Sequence, residues 1–467
     1  MKSELNNPKV IKAWTMYDWA NSVFSLTIAT AIFPPYYESV SKAAAIAQGN
    51  SIEAPYSLDI LGYKIVNTAL YSYALSLGFL LVAFSSPILS GIADARKNKK
   101  FFMQVFCYLG SLSCILMYFM TPATVYLGII LFVLSLYGFG GSIVFYNAFL
   151  PEIVSEDRYD EVSARGFSMG YIGSVILLVI NLLVIIKHDL FFPYHIKAIE
   201  LNNAGLNMTA AIKEAQSYYE VLAIKLSFVM VGIWWAGFAQ WTFRNIKEDQ
   251  SNILKVEGNV FHKGFLEIKK VFHEIQLPQN KRIRNYLLGY LFSSMGVQTV
   301  MYVASLFGSQ ELKMGTSELI LTILIIQIIA IGGAWMFSKV SAAIGNIYTI
   351  LIMLIVWIGI TVAAYKVNSS EQFYALAVVV GIVMGGIQSM FRSTFAKLIP
   401  EESNETASYF SFFDVSEKIA IVLGTLVYGI LIDITGNMRT SVLALMLFFL
   451  VGLFFISRIK NFKGQTS

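Results

Sequence analysis

The sequence predicts an all-α membrane protein of twelve transmembrane helices in two parallel six-helix repeats, and three observations predict it. Of the 467 residues, 56% are hydrophobic and 13% charged, with mean hydropathy +0.64, whereas a soluble domain carries roughly twice that charge. The apolar residues fall into twelve blocks of roughly 20, the helix length that crosses a hydrocarbon core. The second six blocks also echo the first. Leu150-Pro151-Glu152 after the fourth block returns as Ile399-Pro400-Glu401 after the tenth, and the link Gly91–Lys100 has a counterpart in Ser338–Asn346.

In chain order, the spans are predicted near 11–34, 68–91, 101–120, 124–148, 166–187 and 223–244, then 285–308, 317–341, 347–366, 371–396, 407–432 and 440–459. The start is polar, with Lys2, Lys9 and Lys12. The first block has no small-residue cleavage site and contains Asp18, so it reads as a retained span, not a signal peptide. Residues 1–244 form the first half and 285–467 the second. Between them, in 245–284, Phe261, Phe265, Ile268, Phe272 and Ile275 recur at helical spacing, with Lys263, Lys269 and Lys270 on other faces. This suits a helix lying in the membrane interface, or equally a soluble linker helix. The polar segment 188–222 suits a small cap of short helices, and Asn207-Met208-Thr209 within it fits a glycosylation acceptor. Cys107 and Cys114 share one helix face, too far apart to bond, and all four histidines lie outside the apolar blocks. Neither a disulfide nor a metal site is expected.

Charge orients the chain. With both termini cytoplasmic, 24 of the 34 Lys and Arg fall on the cytoplasmic side and 9 outside, while Lys418 lies within a span. That bias is the positive-inside rule.

Gly91, Asp94, Lys99 and Lys100 form a glycine, an acid and a basic pair between two spans, a pattern that resembles the loop signature of the major facilitator superfamily. Asn98 stands where that signature has glycine, and the second-half copy keeps Gly345 but has Ser341 in place of the acid. Tyr17-Asp18-Trp19-Ala20-Asn21-Ser22 with Phe33-Pro34-Pro35-Tyr36-Tyr37 is similar to the vacuolar-effluxer-like branch, which includes autophagy-related vacuolar amino-acid effluxers of fungi and bacterial relatives. Tyr146–Ile153, Ser163–Gly166, Gly386–Ser389 and Arg392-Ser393 extend that resemblance over nearly the whole chain. It implies a transporter without fixing the substrate. It also implies that spans one, four, seven and ten line a central cavity, and that Asp94 sits beside the start of span eleven.

Ionisable groups inside a span cost about 2.5–3.5 kcal/mol on insertion scales and so mark function or internal pairing. Asp18, with Asn21 and Ser22 on the same face, suits a proton or cation site or the orientation of a substrate amine. The structural alternative is an acid satisfied by neighbouring helices or by Lys12. Tyr146 and Asn147 in span four are expected to face the cavity. So are Tyr290, Ser294, Gln298 and Tyr302 in span seven, and Gly381, Gly385, Gln388 and Arg392 in span ten. Arg392 could instead be an end anchor that snorkels. Gly91 and Asp94 are gating candidates. In span eleven, Asp414 and Lys418 are four apart and can pair, with Glu417 pointing elsewhere, as a structural pair or a coupling site. Gly166, Gly170 and Gly173 form a helix-packing face, and the proline that accompanies such glycines in many drug antiporters is missing.

Together these features point to a secondary transporter of a small polar organic solute, plausibly amino acids or short peptides. No phosphate-binding loop is present, so ATP is not the direct driver. A membrane-embedded enzyme would need an acid–base or metal constellation, and a non-transporting receptor differs only in flux. The expected setting is the plasma (inner) membrane. Expected partners are a small-molecule substrate, the lipid bilayer and, as an option, a coupling ion. No nucleic acid and no cofactor are expected, and the chain is expected to be a monomer. Topology is tested with Ser3→Cys, Gln250→Cys and Asn203→Cys in intact cells. An impermeant thiol reagent should label only position 203, and labelling at 250 from outside overturns the orientation.

Overall fold

In the computed structural model, residues 5–49, 56–60, 62–248, 260–400, 403, 405–435 and 438–460 are described. The spanning helices are α1 (Pro8–Val23), α2 (Asn67–Arg96), α3 (Lys99–Leu116), α4 (Val125–Ala148), α5 (Tyr159–Ile186) and α6 (Met208–Asn245). They continue as α7 (Lys281–Glu311), α8 (Thr316–Ile344), α9 (Asn346–Lys366), α10 (Ser370–Leu398), α11 (Thr406–Thr435) and α12 (Met446–Ser457). Among the described residues, ten helical stretches are long and apolar enough to cross a bilayer. α1 with its continuation and α11 complete the twelve.

Local chemistry sets the helix ends. Asn7 caps α1 by accepting from the Lys9 amide, with Pro8 in the first turn, where its missing N–H costs nothing. Asn207, read from sequence as a glycosylation acceptor, caps α6 through the Ala210 amide. Gly345 separates α8 from α9 at φ 92°, a conformation that side chains with a Cβ rarely adopt.

Three features differ from the sequence reading. α1 runs into a π-helical segment, Phe24–Ile32, and then a helix, Phe33–Ala47, that carries the chain past the span. A hairpin of β1 (Ser57–Ile60) and β2 (Tyr63–Val66) follows, so the fold is helical with one small sheet. α5 begins at Tyr159 and α6 at Met208, well before their apolar blocks, because protein covers one face of each early segment: Tyr159 and Asp160 are buried in α5, and Ala211 and Ala215 in α6. Between His188 and Asn203 the expected short helices are present.

The linker helix Val260–Gln276 buries Val271 and Ile275 but exposes Phe265, Leu266 and Phe272. Phe261 and Lys263 have side chains outside the described residues. Glu274 accepts from the Tyr409 hydroxyl at 2.8 Å and Lys270 pairs with Glu405, tying this helix to the start of α11.

Small residues set helix spacing. A Cβ on Gly138 of α4 would lie 2.5 Å from the Gly110 backbone of α3 and 2.6 Å from the Phe106 carbonyl oxygen. Gly138→Leu should therefore cost about 1–3 kcal/mol through overpacking. Gly237→Leu, where a Cβ meets nothing within 4 Å, should be neutral. Thermal unfolding of the two purified variants in detergent checks the contrast.

Candidate functional site

α1 and α10 meet at one buried ion pair. Asp18 Oδ2 accepts from the Tyr146 hydroxyl at 2.7 Å and from Arg392 Nη1 at 3.2 Å. Arg392 spends its other donors on α4 and α5: Nη1 to Asn147 Oδ1 at 3.4 Å, Nε to Ser163 Oγ at 2.9 Å and Nη2 to the Ser163 carbonyl at 2.7 Å. Its guanidinium also lies over the rings of Phe167 at 4.2 Å and Trp14 at 4.8 Å. Trp14 stacks on Tyr146 and donates to its carbonyl at 2.9 Å, fixing the phenol that holds Asp18. Gly166 makes room, since a Cβ there would sit 2.8 Å from Arg392 Nη2. Lys12 is thus not the partner of Asp18; it lies near the Trp241 ring. Nor does Arg392 snorkel, being 3% exposed.

This pair forms one end of a cavity of about 280 Å³ between the halves. Asn21, Ser22, Asn147, Gln298, Tyr302, Gln388, Asp414, Glu417 and Lys418 line it, as do Tyr290 and Ser294. The Asn21 side-chain nitrogen is buried without a partner, so its donors are available to a ligand. Tyr171 of α5, which sequence reasoning missed, donates to Gln388 Oε1 at 2.6 Å and also lines the cavity.

Three expectations need correction. Tyr146 does not line the cavity; it is fully buried behind Asp18 and acts on that carboxylate. Gly381 and Gly385 face α8, where a Cβ would meet the backbone oxygens of Ile326 and Ala330. The residues that begin their stripe on α10 are therefore packing surface, and only Gln388 and Arg392 reach the cavity. Glu417 does not point away from its neighbours: Oε2 takes Lys418 Nζ at 2.7 Å and Oε1 takes the Gln298 amide at 2.9 Å. The expected Asp414–Lys418 pair is present at 3.2 Å.

At the end of the bundle where α1 starts and α12 ends, two polar clusters join the halves. Gly91 is buried in the last turns of α2, and Asp94 accepts from the Ala407 amide at 3.2 Å and the Ser408 amide at 2.7 Å at the start of α11. A helix N-terminus favours an acid there. Lys99 pairs with Asp94 at 3.3 Å and also bonds Glu152 and Thr406. The second cluster was not anticipated. Asp160, in the first turn of α5, accepts from Ser341 at 2.8 Å, Asn346 at 2.7 Å and Lys397 at 2.9 Å. Its one sequence signal was the serine standing where the repeated loop should carry an acid.

Residues 6–467 match the model of the family described as vacuole effluxer Atg22 like. An uncharacterized MFS-type transporter, YxiO of Bacillus subtilis, is 28% identical, over 94% of this chain and 92% of that protein. Autophagy-related protein 22 of Cryptococcus neoformans is 24% identical, over 98% and 96%. Among solved structures, the transporter FucP in its outward conformation superposes with TM-score 0.66 at 13% identity, over 98% and 99% of the two chains. The human organic anion transporter MFSD10 gives 0.65 at 11%, over 96% and 98%. These likenesses show the major facilitator fold. The matched proteins are transporters, so the reading as a membrane-embedded enzyme falls away. Twelve helices in two repeats, an ion pair across a central cavity and the family match over nearly the whole chain lead to one assignment: this multi-pass membrane transporter of the major facilitator type belongs to the Atg22-like vacuole effluxer family.

Proposed function

We propose that the chain is a secondary active transporter that moves amino acids or short peptides by alternating access. Its setting is the plasma (inner) membrane, with both termini cytoplasmic. The carrying observation is that the groups joining the halves beneath the cavity form a buried pair of opposite charges, Asp18 and Arg392. Removing one partner of such a pair leaves an uncompensated ion, at a cost of about 3–5 kcal/mol. A zwitterion avoids that cost. Its carboxylate can take over Arg392 donors while its ammonium takes over Asp18, so the pair parts with each ion still matched. A sugar or a nucleoside offers no such exchange. The aromatic walls at Phe167, Tyr171 and Tyr290 would receive the rest of the solute.

With the termini inside, the Asp94 and Asp160 clusters close the cytoplasmic end and the cavity belongs to an outward-facing state. We assign both acids to gating. Each holds the other half of the protein, and neither lines the cavity. A ligand that binds the native state raises stability by mass action, by about 2.7 kcal/mol at a hundred times its Kd.

A thermal-shift screen of the purified protein should therefore show stabilisation by amino acids or short peptides and none by sugars or nucleosides. A shift from sugars or nucleosides alone overturns the substrate class, and flux in liposomes separates a transporter from a receptor. In Arg392→Lys, which keeps the charge but not the fork geometry, the ligand shift should fall about tenfold in concentration dependence while the protein stays folded. Asp94→Asn and Asp160→Asn should each slow transport several-fold and leave apparent affinity within about threefold. A large affinity loss in either variant, with rate unchanged, would remove that residue from gating.

A further inference from the structure

The cavity holds a second charged cluster whose bonding is incomplete. On α11, Lys418 Nζ lies 3.2 Å from Asp414 Oδ1 and 2.7 Å from Glu417 Oε2. Glu417 has a second donor in the Gln298 amide at 2.9 Å. Asp414 has none: its Oδ2 is buried without a hydrogen-bond partner, and the residue is 2% exposed. The groups facing the cluster from other helices supply no compensating charge. Tyr290, Gln298 and Tyr302 come from α7, Phe79 from α2, its ring 5.7 Å from Lys418, and Gly140 from α4. With all three α11 groups ionised, the cluster carries a net charge of −1, with Asp414 and Lys418 buried and Glu417 partly exposed to the cavity.

A buried net charge and a buried acceptor without a donor are both unfavourable. One proton on Asp414 Oδ2 removes the net charge and turns the orphaned acceptor into a hydroxyl donor. We propose that Asp414 is the proton-binding site that couples this transporter to the proton gradient, with Glu417 remaining the counter-ion of Lys418. The proposal rests on the transporter reading above. The proton comes from water in the cavity and bonds Oδ2. It returns to water on the other side once α11 has moved with its half, so one proton crosses for each turnover that uses it. A sodium ion fits worse, because it needs several oxygens, and the Lys418 ammonium already stands 3.2 Å from the other oxygen of the same carboxylate. Asp18 fits worse too, because the oxygen it turns to Arg392 already has two donors.

Infrared spectroscopy of the purified protein in lipid nanodiscs tests the site without any substrate. Wild type at neutral pH should show a protonated-carboxyl C=O band that is lost on alkalinisation. The band should be absent from Asp414→Asn and present in Glu417→Gln and, displaced, in Asp414→Glu. If wild type shows no such band, or the band survives in Asp414→Asn, the proposal is overturned, and the wild-type arm decides even if a variant fails to fold. A second arm uses liposomes loaded with a mixture of the twenty common amino acids, one radiolabelled at a time. For any that wild type accumulates under an imposed pH gradient, Asp414→Asn should lose accumulation at least tenfold and keep exchange. Accumulation by Asp414→Asn equal to wild type refutes the coupling role. Failure of wild type to move any amino acid refutes amino acids as substrates and leaves short peptides, while the infrared result still decides the proton site.

Discussion

The Asp18–Arg392 pair is the constraint around which the molecule is arranged. Two ions are taken out of water inside the helix bundle, and the attraction between them offsets that loss only with further hydrogen bonds in place. The chain supplies those bonds from α4 and α5. Tyr146 holds Asp18, Asn147 and Ser163 take the spare guanidinium donors, and Trp14 and Phe167 flank the cation. Lysine could not meet that set, since its ammonium has no planar fork and stacks poorly. Gly166 belongs to the same demand, because any side chain there would intrude on the pair. The segment Tyr146-Asn147 on α4, the segment from Ser163 to Phe167 on α5 and the polar face of α1 are then parts of one site.

Much of the architecture was legible because the bilayer imposes a length and a composition on each span. Twelve apolar blocks gave twelve spans, and their repeat gave the two halves. The errors fall where protein, not lipid, is the neighbour. α5 and α6 start early because one face of each early segment is buried against protein, which hydropathy cannot sense. Gly381 and Gly385 share a helical stripe with Arg392, yet that stripe turns onto α8 before it reaches the cavity. A face is a direction only once its neighbours are known.

Individual polar residues were legible for a related reason: a charge in a span is costly enough to need a return. Which charges pair was not legible. Asp18 and Arg392 are 374 residues apart, and nothing local links them. Asp414 and Lys418, four apart on one helix, could be paired by spacing alone. Glu417 shows the limit of that rule, since its side chain reaches the adjacent Lys418 as well as Gln298 on another helix. The long-range contacts that matter for transport are those that one sequence does not encode as a spacing.

The two clusters at the closed end show what repetition preserves. In the first half the link between spans carries the acid, Asp94, and the start of α11 offers backbone amides to it. In the second half the link has lost its acid to Ser341, and the start of α5 supplies Asp160 instead. The bond across the halves survives although its charge has changed sides. An electrostatic latch needs one acid and one set of donors, and it does not matter which half brings which. A motif search that demands an acid at one position would miss the contact of the second loop. Structurally it is complete, with Asn346 and Lys397 satisfying the relocated carboxylate. In the gating proposed above, both latches and the central pair part for that end to open. Each buried acid left without its donors would be costly, so partial opening is unfavourable and the closed end tends toward two discrete states.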